Sequence, residues 1–151
     1  MIDSRAKGAR AELNVRDVLK SYTGITFERT PSSGALDSRY GMKGDIFIPR
    51  ERNKYTIEVK HYEDDHINSK MLTDKSPQLI KFWEQAVREA NQNSNIPLLI
   101  FKFNRSKLFV AFCDSIPTDE CDHLFVSVNN HIFYISLLED WLKYQQPQFI
   151  A

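Results

Sequence analysis

The stretch KYTIEVKH, residues 54–61, alternates strictly between two sets of side chains. A period of two is typical of a β-strand, in which successive side chains point to opposite faces of the sheet. Glu58 and Lys60 therefore share one face, while Ile57 and Val59 point to the other. We expect this strand to decide the fold and the chemistry, because it presents a carboxylate and an ammonium group side by side.

A further acidic residue lies on the strand predicted just before it, at 44–48. The intervening turn, 49–53, is short enough to bring the two strands together as a hairpin, with Asp45 beside Glu58. An aspartate and a glutamate on adjacent strands can share one hard cation, and Lys60 beside them can orient and polarise an attacking water. Taken alone, a Glu and a Lys two residues apart are more often a solvated strand face.

A third carboxylate, Glu12, lies on a helix predicted over 4–22, at the edge of its apolar stripe. A carboxylate in such a position either reaches into water or is held for use. Converging carboxylates repel one another unless a cation binds between them. Asp45 and Glu58 could provide the company that a functional role of Glu12 needs, and the three carboxylates together favour a cation site.

The rest of the chain supplies an order of strands and helices. Further strands are predicted at 25–30, 97–103, 107–113, 123–128 and 131–135. The connecting features are a mobile loop at 62–75, a helix opened by Ser76-Pro77, a hairpin turn at Asn129-Asn130, and a last helix through Tyr144 with a capping box of Ser136 and Glu139. We expect a single domain, residues 1–151, with an α/β fold in which helices flank a mixed central β-sheet.

Length and composition exclude several classes of protein. A chain of 151 residues suffices for one domain, and 42% hydrophobic with 26% charged residues is not the composition of a disordered chain. No apolar run approaches the roughly 20 residues of a membrane span, and the N-terminus lacks the apolar stretch of a signal peptide. Two cysteines are too few for a disulfide scaffold. These features predict an intracellular, cytoplasmic protein without a membrane partner.

The charge is balanced overall but unevenly spread. The formal net charge is zero, yet residues 1–60 carry 12 Lys and Arg against 8 Asp and Glu. A basic face on a neutral protein can still bind nucleic acid. The candidates for phosphate contacts are Arg5, Lys7, Arg10, Arg29, Arg39 and Lys43.

The loop RTPSSG, residues 29–34, is rich in hydrogen-bond donors. Its hydroxyls, which include Ser32 and Ser33, suit phosphate oxygens together with backbone N–H groups and an arginine. The alternative interpretation is an ordinary turn made of Pro, Ser and Gly.

The motifs occur in a recognisable order. The segment Gly8-Ala9-Arg10-Ala11-Glu12-Leu13 precedes the RTPSSG loop, and Gly44-Asp45-Ile46 and Ile57-Glu58-Val59-Lys60 follow. In this order and spacing the chain resembles the Holliday junction resolvases of archaeal type (Hjc-like), which also occur in phages and belong to the PD-(D/E)XK nuclease superfamily. The resemblance spans roughly residues 5–103. Gly44 stands where the superfamily motif has proline, and the neutral net charge is unusual for a resolvase.

The resemblance implies a restriction-endonuclease-like fold and a dimeric, Mg²⁺-dependent endonuclease of DNA recombination and repair that cuts four-way junctions. Mn²⁺ is expected to substitute. It implies Asp45, Glu58 and the Val59 carbonyl as metal ligands, with Glu12 completing the site. It further implies Lys60 near the attacking water and Ser32 in the loop that contacts the junction.

Two other functions remain open from the residues. One is another endonuclease of the superfamily, of restriction or nicking and repair type, which would cut linear duplex. The other is a non-catalytic DNA-binding module with a degenerate nuclease fold, against which the acidic residues and Lys60 argue.

Some individual side chains also allow two interpretations. Gln85 on the second helix faces either the site or the core, and His61 either touches DNA or is simply solvated. Trp141 and Tyr144 belong either to the core or to a dimer surface.

Overall fold

The computed structural model of the protein describes residues 4–31 and 43–151. The helices are α1 (Ser4–Thr23), α2 (Lys70–Thr73), α3 (Gln78–Asn93) and α4 (Leu138–Asp140), which continues into a π-helical turn, Trp141–Gln145. The strands are β1 (Glu28–Arg29), β2 (Ile46–Phe47), β3 (Tyr55–Tyr62), β4 (Ile96–Phe103), β5 (Phe109–Phe112), β6 (Leu124–Val128) and β7 (His131–Leu137). Within the described ranges, no helix is long and apolar enough to cross a bilayer.

The seven strands form one mixed sheet in the order β1-β2-β3-β4-β5-β7-β6. Only β3 and β4 are parallel among the described pairs, and they stay in register over eight residues, from Tyr55 opposite Ile96 to Tyr62 opposite Phe103. A parallel pair needs a long crossover connection, which here contains α3. The predicted α/β fold with a mixed sheet flanked by helices is therefore confirmed.

Each face of the sheet carries its own apolar core. On one face Val15 and Leu19 of α1 pack with Ile57 and Val59 of β3 and with Trp141, all of them buried. The opposite core is built from the apolar stripe of α3, with Leu79, Ile80, Phe82 and Trp83 against Leu99 and Phe101 of β4. The alternation read from residues 54–61 thus separates a face under α1 from a face under α3, and Glu58 lies on the latter.

The turn between β6 and β7 agrees with its prediction. Asn129 and Asn130 both have positive φ, 50° and 66°. Two central residues with positive φ are what a two-residue hairpin turn of type I′ requires, and asparagine tolerates that conformation better than most residues.

Three local predictions were wrong. Pro77 is extended and forms the cap position itself, with α3 beginning at Gln78, so Ser76 lies too far out to cap it. The stretch 62–75 is not only a loop, because it contains the short helix α2 with Met71 buried. Ser136 does not open a capping box, because β7 extends through it and its side chain is buried beside Cys121.

Trp141 belongs to the core. Its side chain is only 1% exposed and contacts the rings of Tyr55, Phe112 and Phe149. It therefore does not contribute a dimer surface, whereas Tyr144 is exposed.

Candidate active site

The backbone brings Asp45 against β3. Its N–H donates to the Ile57 carbonyl at 2.7 Å, and its Oδ2 accepts a hydrogen bond from the Val59 N–H at 2.8 Å. The approach depends on Gly44, whose φ is +85° and whose missing Cβ would lie 2.8 Å from the Ile57 carbonyl oxygen. Proline cannot adopt this φ, so the glycine in place of the superfamily's proline has a structural reason.

Glu58 lies under α3, where it is 3% exposed. Its Oε2 is 4.0 Å from Lys60 Nζ, and it accepts a hydrogen bond from Gln85 Nε2 at 3.3 Å. Lys60 Nζ also lies 5.7 Å from the centre of the Phe82 ring. The prediction that Glu58 and Lys60 share one face of the sheet is confirmed, and α3 packs over that face.

The two carboxyl groups are held in surroundings that disfavour their charge. The pKa of Asp45 is raised to about 6, mainly by burial and in part by the charge of Glu12, although the Val59 N–H and Lys60 act in the opposite direction. The pKa of Glu58 is raised to about 11, mainly by burial and in part by a hydrogen bond with Glu89 and by the charge of Asp45. Without a cation the pair therefore retains a proton at neutral pH, and Glu58 is the group that holds it.

Glu12 forms an ion pair with Arg29. Its Oε2 is 3.2 Å from Arg29 Nε, and both side chains are partly buried. The charge of Glu12 is still felt by Asp45, which places it at the rim of the site. Arg29, predicted to contact phosphate, is therefore already engaged by a carboxylate.

The donor set fits a small hard cation. No group of three or more His, Cys, Asp or Glu side chains is arranged around a common point within residues 4–31 and 43–151. Mg²⁺ does not need such a cage, because it keeps several waters and usually takes one or two carboxylates plus substrate phosphates. Asp45 is partly buried and Glu58 is buried, and a bound cation would stabilise the ionised form of both carboxyl groups.

The candidate DNA-binding residues are spread over the molecule. Lys7 and Arg10 lie on α1 and line a cleft next to β3, and Lys43 is partly buried just before Gly44. Arg5 lies on α1 by its backbone position. Ser32, Ser33 and Arg39 lie outside the described residues.

His61 is part of β3 and not a solvated loop residue. Burial lowers its pKa, and the nearby charges of Lys7, Lys102 and Arg10 lower it further, so the imidazole is held neutral. It lines the same cleft as Lys7 and Arg10, on the α1 side of the strand.

Two residues of α3 complete the surroundings of Glu58. Gln85 Nε2 donates to Glu58 and lies 3.4 Å from Glu89 Oε1, one helical turn further on. The sequence left open whether Gln85 faces the site or the core, and it gave no prediction for Glu89. The available signal was the spacing of four between two polar side chains on the inward face of an amphipathic helix.

Three comparisons relate the chain to known proteins. Residues 3–145 match the family model of phage PDDEXK endonucleases. The chain is 38% identical over 150 residues to Protein D14 of Escherichia phage T5, an alignment that covers 95% of this chain and 94% of D14. A solved structure of Hjc, a Holliday junction resolvase from Archaeoglobus fulgidus, an archaeal hyperthermophile, aligns over 96% of this chain and 93% of its own, with 16% identity and a TM-score of 0.42.

Proposed function

The chain belongs to the phage PDDEXK endonuclease family, and from this premise we propose that it is a Mg²⁺-dependent endonuclease that cuts four-way DNA junctions by paired phosphodiester hydrolysis. One observation carries the catalytic part of the proposal. Glu58 is buried beside the partly buried Asp45, whose charge raises the pKa of Glu58, and Lys60 lies next to Glu58. Such a costly arrangement is typical of a functional site.

Each residue has a role in the proposed reaction. Asp45, Glu58 and the Val59 carbonyl hold the cation, for which Mn²⁺ substitutes, and Glu12 completes the site from α1. When bound, the cation neutralises the scissile phosphate and acidifies a water. Lys60 orients that water or a phosphate oxygen, because its ammonium group shares the face of Glu58. Gln85 fixes the orientation of Glu58 through its hydrogen bond.

The preference for junctions rests on the motifs and on assembly. The RTPSSG loop, which contains Ser32 and Ser33, contacts the branch point in this proposal. The basic residues that hold the DNA backbone are Arg5, Lys7, Arg10, Arg29, Arg39 and Lys43. Two sites on one junction require two copies of the chain, so we include a C₂ homodimer in the proposal.

The outer strand β6 offers a surface for this dimer. It lies at the end of the sheet order and contains no charged residue. Phe125 is 58% exposed, and Ile132 of the neighbouring strand is 59% exposed. An uncharged edge strand with exposed apolar side chains is a surface that proteins usually protect, which favours a second copy as its cover.

Digestion of synthetic DNA tests the function. A labelled four-way junction and a linear duplex of the same arm sequence are incubated with the protein in Mg²⁺, in Mn²⁺ and in EDTA. We expect symmetric incisions in the junction with either metal and none in EDTA. Cleavage of the linear duplex at an equal rate would favour another type of endonuclease. Binding without cleavage in any metal would favour a non-catalytic module.

A further inference from the structure

A cationic cleft lies on the α1 side of β3, on the other side of the strand from Glu58. It has a volume of about 390 Å³ and opens between α1, the end of β3 and the end of β4. Four basic residues line it, Lys7, Arg10, Lys60 and Lys102, although the Lys60 side chain points to the face of Glu58. Its other lining residues are Ala11, Asn14, Val59, His61, Asn104 and Leu108, so none of the described residues that line it is acidic. We call it the α1 cleft.

The register of the sheet explains why these charges meet. His61 and Lys102 are directly opposite each other in the parallel pair β3 and β4, so their side chains leave the same face. Lys7 approaches that face from α1, and its Nζ donates to Asn104 Oδ1 at 3.3 Å. The helix α1 and the strand β4, which are distant in the sequence, thus bring cations to one place, although no contiguous basic motif marks it.

The described hydrogen-bond partners of Lys102 and Lys7 are neutral groups. Lys102 Nζ donates to the Ser106 carbonyl, and Lys7 donates to a side-chain amide. Among the carboxylates that the structure describes, none lies within 4.0 Å of Lys7, Arg10 or Lys102, and the one beside Lys60 is Glu58 on the opposite face. Cations held by neutral groups around a cleft are suited to an anion with several oxygens.

We infer that the α1 cleft binds a DNA backbone phosphate other than the scissile one, with Lys102 and Lys7 as its principal ligands. The inference rests on the proposed function and names a subsite of it. The separation follows from β3, because the carboxylate pair and the cleft use opposite faces of one strand. Lys60 borders both, so the second phosphate is held next to the cleavage site.

The salt dependence of binding is the appropriate measurement. Each phosphate contact releases counterions, and its loss reduces the slope of log K against log[salt] by about 0.9 on duplex DNA. Binding is measured in EDTA over a series of NaCl concentrations, on a four-way junction and on a linear duplex. Lys102→Met should reduce the slope by about one, and Lys7→Met with Lys102→Met by about two.

Matched variants separate this effect from a change in overall charge. Lys20→Met removes an exposed lysine from the same helix, near its other end, and should leave the slope unchanged. Lys102→Arg keeps the charge and should restore the wild-type slope, whereas a purely structural role of Lys102 would not be recovered in this way. Melting temperatures of all variants verify folding.

The outcomes distinguish the subsite from the proposed function. A reduced slope on both DNAs supports a phosphate of the duplex being cut, and a reduction on the junction alone supports a phosphate of another arm. A wild-type slope for folded Lys102→Met, or a loss equal to that of Lys20→Met, overturns the subsite and leaves the proposed function standing. Failure of the wild-type protein to bind either DNA overturns both.

Discussion

At the scale of single residues, Asp45 and Glu58 are costly in the absence of metal, and this gives the first prediction. Asp45→Asn and Glu58→Gln should abolish cleavage, because each removes a ligand of the proposed cation. Both should bind the junction at least as tightly as wild type, because a negative charge near the phosphate is lost. In EDTA they should also melt higher, by at least the 2–4 °C that about 1 kcal/mol gives in a chain of this size.

Scanning calorimetry and junction cleavage on the same preparations check this prediction. Glu63→Gln is the matched control, because Glu63 is exposed and lies just after β3. Wild-type cleavage by either amide variant would remove that carboxylate from the metal site. A lower melting point in EDTA would mean that the carboxylate stabilises the fold.

The raised pKa values predict how stability depends on pH. Burial moves the pKa of Asp45 from its ordinary value of 3.8 to about 6, and it also raises the pKa of Glu58, from 4.5. The folded state therefore binds more protons than the unfolded state, so stability falls as pH rises from about 4 through 6 and beyond. Melting curves in EDTA should show this decline, and Mg²⁺ should flatten it. In Asp45→Asn the part of this decline that lies below pH 6 should be absent. A wild-type melting temperature that rises over the same pH range in EDTA would contradict the prediction.

Lys60 provides the third prediction. Its ammonium group lies 4.0 Å from Glu58 Oε2 and is partly exposed, so it can reach a water or phosphate oxygen bound there. Loss of one such stabilising contact costs on the order of 100-fold in rate. Lys60→Met should therefore lose about that much single-turnover rate at saturating DNA, while its melting temperature changes little. Full activity of Lys60→Met would end the catalytic interpretation of the strand.

At the scale of elements, the hairpin of β2 and β3 depends on Gly44. A side chain there meets both an unfavourable φ of +85° and the Ile57 carbonyl oxygen at 2.8 Å. Gly24 has a similar φ of +73° but open space around it, which makes it the matched control. Gly24→Ala should cost about 1–2 kcal/mol from backbone strain alone, and Gly44→Ala should cost clearly more. Urea unfolding measures both, and equal losses would mean that β2 can move away from β3 freely.

The same hairpin shows what could be predicted from the sequence. The alternation at 54–61 determined the faces of Glu58 and Lys60, because a period of two leaves no other arrangement. The place of Gln85 could not be determined, since a polar side chain within an apolar helix stripe can face a core or a site. The capping role of Ser136 was wrong because strand pairing with Val110 extends β7 past it, and pairing is a tertiary effect.

Residues brought together by register were the least predictable. The α1 cleft is lined by both Lys7 of α1 and Lys102 of β4. Nothing local to either lysine indicates the other, because their proximity depends on how α1 packs on the sheet and on the pairing of β4 with β3. The carboxylates, by contrast, lie on neighbouring strands joined by a short turn, so their proximity followed from local geometry.

At the scale of the whole molecule, the proposed homodimer gives the last prediction. Phe125 of the uncharged outer strand β6 and Ile132 of the neighbouring β7 form an exposed apolar patch. In a C₂ dimer this patch on one copy meets the same patch on the other. Replacing both residues by lysine places like charges across that axis, so the double variant should sediment as a monomer. Ile116→Lys is the control, because Ile116 is 78% exposed but belongs to neither β6 nor β7.

On a four-way junction the monomer should make single nicks at close to the wild-type rate per site, while paired incisions decline sharply. Sedimentation velocity with and without junction DNA, beside a cleavage assay on a closed circular cruciform, measures both effects. A strictly monomeric wild type in both conditions would refute the dimer, and a double variant that stays dimeric would move the contact to another surface.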